Sequence, residues 1–161
     1  MAQTTPIPEL ILANVATNLA TITTVSNAYR NTVKKVDRQF INPNTIGRGL
    51  LPAIAVFGED MTWGVSRMGD PAGLEGVLNF SLQGLMQVTN AGATDLLGFM
   101  QDAREAILAD KDQGGNATTT HVLNVVFGGA PFGGNFGSPP FVAKPFVGFL
   151  MTVEVLFCEN L

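Results

Sequence analysis

The sequence predicts an α+β protein in two layers, with two amphipathic helices packed on one face of a mixed or mainly antiparallel sheet of about five strands. Three observations lead there. Ile7, Leu10, Ile11, Val15, Leu19 and Ile22 recur at steps of three and four, and so do Leu96, Leu97, Met100, Ala103, Ile107 and Leu108. Each set is an apolar stripe along one side of a helix. Apolar and polar residues alternate strictly from 78 to 88, and a second alternating run spans 146–158, which is the two-residue period of a half-covered strand.

Taken in order, Thr5 and Pro6 read as N-cap and first helical position, and Glu9 adds negative charge to the first turn. The first helix then runs from about Pro6 to Leu19. Residues 32–40 mix β-branched and charged types and read as a strand, and 41–49 form a loop by their proline, asparagines and glycines. A short apolar strand covers 51–57, with Pro52 near its start, where a missing ladder N–H is tolerated. Residues 58–73 read as loop or irregular edge.

The clearest strand follows, with Leu78, Phe80, Leu82, Met86 and Val88 on one face, Gly84 in register, and Asn79, Ser81, Gln83 and Gln87 on the other. Thr94 caps the second helix, on which Gln101, Asp102, Arg104 and Glu105 are expected in solvent. Strands at 121–127 and 146–158 complete the order α-β-β-β-α-β-β. In the last, Val147, Phe149, Met151, Val153, Val155 and Phe157 share a face opposite Thr152 and Glu154. The whole of 1–161 reads as one domain, with a Gly/Pro/Phe-rich loop at 128–140. A loop that long inside a compact domain is functional or disordered, and its phenylalanines argue for a partner.

Composition points to covered surface. Charged residues are 14% of the chain against roughly 25% in average usage, while glycine contributes 18 of 161 residues and phenylalanine 11. The net charge of −4 is uneven. Arg30, Lys34, Lys35, Arg38 and Arg48, five of the nine basic residues, fall in nineteen positions that hold one acid, Asp37. The other four basic residues are outnumbered by twelve acids. Such a split suits head-to-tail association of copies, a modest nucleic-acid patch, or simply a solvated strand face. No basic, apolar leader opens the chain and nowhere do eighteen apolar residues run together, so neither a secretory signal nor a membrane helix is expected.

Little here supports catalysis. The single histidine, His121, removes the usual general base from most nucleophilic schemes. Cys158 has no cation near it in sequence to activate a thiolate and reads as a buried or interface thiol. The acidic pairs Glu59/Asp60, Asp102/Glu105 and Asp110/Asp112 lack a nearby histidine and read as solvated charge, so no metal or other cofactor is expected. The glycines of 128–137 lead into Pro139-Pro140 and a strand instead of a Lys-Ser/Thr and a helix, which argues against phosphate binding. Trp63, Phe132, Phe136 and Phe141 lie outside the periodic segments. They pack on their own domain or anchor a contact with another subunit.

The layout resembles that of one family. Ile7-Pro8-Glu9-Leu10-Ile11-Leu12-Ala13 precedes a basic strand, and Asn42-Pro43 precedes Leu51-Pro52-Ala53-Ile54-Ala55-Val56. Asn79-Phe80-Ser81-Leu82-Gln83-Gly84, Asp95-Leu96-Leu97-Gly98-Phe99-Met100 and Val153-Glu154-Val155-Leu156-Phe157 follow. Together they resemble the tail terminator proteins of long-tailed bacteriophages. The resemblance implies a non-enzymatic virion protein, assembled in the host cytoplasm, that closes as a hexameric ring on the tail tube. Its partners would be further copies of itself, the tail tube protein, a head-completion or connector protein, and DNA passing non-specifically through the lumen. The basic residues Arg30, Lys34, Lys35, Arg38 and Arg48 and the aromatics Trp63, Phe132, Phe136 and Phe141 are the expected interface. Two rivals are another neck component, such as a head-tail stopper or minor tail protein, and a small-ligand-binding or enzymatic α+β domain. The last predicts a deep pocket with convergent polar groups.

Overall fold

The computed structural model describes residues 5–26, 28–64, 73–87, 92–128 and 146–160. Helix α1 spans Ile7–Ala20 and helix α2 spans Gly92–Leu108. The strands are β1 (Lys35–Asp37), β2 (Ala53–Trp63), β3 (Gly73–Gln87), β4 (Thr119–Gly128) and β5 (Phe146–Asn160). They form one five-stranded sheet in the order β1-β2-β3-β5-β4. β1 runs parallel to β2, and every other pairing is antiparallel. The expected α+β two-layer architecture and its element order are observed.

Both helices cover the same face. Ile11, Val15 and Leu19 of α1, with Ile22 just beyond it, and Leu96, Phe99, Ala103 and Ile107 of α2 share one core with Phe80, Leu82, Phe149, Met151, Val153 and Val155. β3 and β5 form the spine. Their facing rows alternate in bulk, because Gly76 lies opposite Phe157 and Gly84 opposite Phe149 in register. A Cβ at either glycine would run into the facing ring, so glycine is what lets each phenylalanine lie flat across β3.

Several local expectations are corrected. The N-cap is Pro6, not Thr5, and Leu10 of the α1 stripe is exposed. The 32–40 strand shrinks to Lys35–Asp37, because Asp37 turns its carboxylate onto the N–H of Arg38 at 2.8 Å and ends the ladder. The 51–57 strand starts after Pro52 and continues to Trp63, and β3 starts at Gly73, so much of the supposed loop 58–73 is a hairpin's two arms. Its Met68 lies outside the described residues, as does Val88. Helix α2 starts before Thr94, and Leu97 is 45% exposed while Phe99 is buried. Leu97 sits one residue, about 100° of rotation, off the axis of the stripe.

The sheet's second face is also partly covered. Ile41, Leu51, Ala53, Ala55, Leu85 and Phe146 form a smaller cluster there, flanked by Ile46 and Phe57. Gln83, expected on a wet face, is 0% exposed. Its amide accepts from the Ile41 N–H at 2.9 Å and donates to the Ile41 carbonyl at 3.0 Å, imitating a strand partner. That side-chain pair straps segment 41–51 across the sheet.

Candidate assembly surface

The basic segment enters the structure as a strap that crosses from α2 to the sheet edge. Asp102, expected in solvent, is 3% exposed and anchors its start. The carboxylate accepts from the backbone N–H groups of Arg30 and Asn31 and from the Asn31 amide at 2.9–3.2 Å. The Arg30 stem passes over Gly98. The N–H of Lys34 donates to the Pro52 carbonyl at 2.9 Å, and β1 then pairs with Ala53–Ala55. Lys35 pairs with Asp37 at 3.1 Å, and this ammonium is the leading cause holding the Asp37 carboxyl below its ordinary value. Arg38 forks onto Glu9 of α1 at 3.1 and 3.2 Å.

The fold thus answers part of the positive surplus from within the chain, since two of the five cations, Lys35 and Arg38, pair with its own acids. Lys34 and Arg48 remain exposed. Such exposed pairs contribute roughly 0–1 kcal/mol each; their effect is to weaken the patch as a platform for nucleic acid. Phe40 and Leu50, both exposed, border the segment beside an open depression of about 270 Å³ that Lys35 and Asp37 also line. Neither was among the expected interface residues, although an exposed phenylalanine next to a basic run is a signal that the sequence carries.

Trp63 is not part of this group. It ends β2 at the far end of the sheet, is 43% exposed, and packs edge-on against Phe157 at 5.3 Å between ring centroids. Phe132, Phe136 and Phe141 lie outside the described residues. The connection that carries them leaves at Gly128 and returns at Phe146, and Gly128 pairs with Gly148. Trp63, Gly76 and Phe157 share a row nine residues further along β5, roughly 30 Å away.

Two stretches of sheet edge have no strand beside them among the described residues. One is the outer side of β4 from Thr119 to Val126, and the other is β2 beyond Ala55, where the three-residue β1 stops. Leu123, 55% exposed, and Val126 project from the first, Met61 and Trp63 from the second. Composition does not reveal these edges, because strand order is not written in it.

The remaining polar groups are structural. Asp110, expected as solvated charge, accepts from the amides of Asn14 and Asn18 at 2.7 and 3.2 Å and from the Gly114 N–H at 3.2 Å. The Asn14 bond is the main cause holding its carboxyl at about 2, against partial burial. Gln113, at φ 49°, is buried and bonds Asn14, the Ile107 carbonyl and the Thr120 hydroxyl. Gly114 and Gly115 follow at φ 68° and 83°, a left-handed turn that glycine accepts freely. This knot ties α1 to the α2–β4 connection.

His121 and Cys158 are both exposed, so of the two expected settings for the thiol, buried or interface, the buried one is corrected. His121 stands opposite Glu154, four residues and roughly 13 Å along β5 from Cys158, too far for a nucleophile and its base. Among the described residues no three His, Cys, Asp or Glu side chains group as metal ligands, and no helix is long and apolar enough to cross a membrane. Depressions of about 180–310 Å³ open at the surface, at or below the small end of the range for small-molecule sites. No protein-family model matches the chain, and no curated protein matches it in sequence.

Proposed function

We propose that this chain is a structural virion protein that closes into a ring with copies of itself, caps a bacteriophage tail tube and joins it to the head-completion proteins. The observation that carries the reading is the pair of unlike edges on opposite sides of one sheet that no strand covers among the described residues. A closed ring needs a heterologous contact in which one patch of each subunit meets a different patch of the next. An element order that agrees with the layout of tail terminators adds weight from the sequence. The end of the sheet that carries Trp63 and the end at which β4 stops and β5 starts then serve as the ring's two faces, one toward the tube and one toward the neck.

Light scattering coupled to size-exclusion chromatography tests the assembly step. A single species of hexameric mass, reached with rising concentration or on tail tubes, is expected; a chain that is monomeric under both conditions contradicts the reading. Replacing both Phe132 and Phe136 with Ala should leave the far-ultraviolet spectrum and the melting curve unchanged and abolish tail joining in an infection assay. Normal tail joining by that double variant would remove the loop from the contact.

A further inference from the structure

We infer that neighbouring copies join edge to edge, with β4 of one copy pairing antiparallel to residues 56–62 of β2 in the next, so that their sheets run on as one. The inference rests on the ring reading above and names its contact.

Strand direction comes first. β2 and β5 run one way, β3 and β4 the other. Rotation about an axis along the strands preserves direction, so β4 meets the next copy's β2 antiparallel, the more stable pairing. Height comes second. Registered pairs place His121, Glu154, Asn79 and Asp60 in one row across the sheet. The row of Val125 reaches Val56, and the row of Thr119 reaches Thr62. These two stretches, which no other described strand covers, therefore lie at the same level on opposite sides of the molecule. Each also holds one bulge, at Gly58/Asp60 and at Val122/Asn124, and both bulges border the row of Gly58 and Val122.

Charge selects the partner. A shallow hollow beside β4 is lined by Arg104, Lys111 and His121, whose two cations outnumber Glu154, the acid opposite His121 in the sheet. The β2 edge carries exposed Asp60, with Glu59 next to it in sequence. Acids on β2 disfavour pairing of that edge with its own copy, as charges on edge strands generally do, and favour an edge flanked by cations. By their row, Asp60 and His121 lie on the same outer face as Asn79 and Glu154, so Asp60 of one copy comes to stand across from His121 of the next. No proline or lysine interrupts 119–128 or 56–63, so two of the devices that commonly blunt a monomer's edge are missing from both.

Cysteine cross-linking tests this in a Cys158→Ser background. Opposed residues in such a pair stand about 5 Å apart, within disulfide reach. Full-length chains carrying His121→Cys and chains carrying Asp60→Cys are mixed and oxidised. Cross-linked dimers are expected in the mixture and absent from either population alone, and a chain with both substitutions should give a ladder that ends at the closed ring. Dimers from His121→Cys alone with none in the mixture would show β4 pairing with itself and overturn the inference. Absence of cross-links in every sample, with each variant folded by circular dichroism, would overturn it too. Negative-stain images of the same samples with tail tubes separate the two claims. Capped tubes without cross-links sink the edge pairing and leave tube capping in place, whereas cross-linked rings that ignore tubes do the reverse.

Discussion

Asp102 carries more of the structure than its place in a run of polar helix residues implies. It meets two backbone N–H groups and one amide that would otherwise lie against α2 unpaired. Asp102→Ala should lower stability by about 2–3 kcal/mol in urea denaturation, because a donor left unsatisfied in a covered place forfeits its hydration as well. Gln83→Ala strands the N–H and carbonyl of Ile41 in the same way. It should cost about 2 kcal/mol and quicken proteolysis within 41–51, while leaving the helical face intact. Asp110 adds a pH dependence. Its folded value of about 2 lies below the ordinary 3.8, so the stabilisation is fully present above that ordinary value and is lost as pH falls through the folded one. The stability gap between the wild type and Asp110→Asn should therefore narrow between about pH 4 and pH 2 in acid unfolding curves. Sequence could not show these roles. A polar residue between apolar ones looks solvated until the segment that covers it, distant in the chain, is placed.

At the scale of elements, the glycines of β3 matter as much as its large side chains. Gly84 lies beneath Phe149, which is itself wedged edge-on against Phe99 at 5.5 Å. Gly76 lies beneath Phe157, whose other neighbour is the exposed Trp63. Gly84→Ala should thus cost more than Gly76→Ala, about 2–3 against about 1 kcal/mol by thermal unfolding, since only the second ring has room to yield. Periodicity made both helices and the centres of β3 and β5 legible. It failed on the β2–β3 hairpin arms, where 58–73 read as loop or irregular edge. Those arms pair with each other and, in β3, with β5, and tertiary pairing overrides weak strand propensity. The 32–40 strand failed for the opposite reason: β-branched residues were present, but the ladder that could hold them is only three residues long.

At the scale of the molecule, the basic segment was legible as a charge imbalance but misleading as a free patch, because Glu9 and Asp102 reach it only through the fold. The open edges offer the better surface, and they invite a charge-reversal test. Asp60→Lys should destabilise ring assembly by sedimentation velocity, and His121→Glu added to it should restore assembly, since the introduced lysine then opposes a carboxylate. A double variant that stays as weakly assembled as Asp60→Lys alone would place the interface elsewhere. The central claim, a ring seated on a tube, is met most directly by negative-stain imaging of tail tubes from the same virion with and without the purified chain. The account predicts a ring at one end of each tube and no further tube growth. Bare, still-growing tube ends at saturating protein would contradict it.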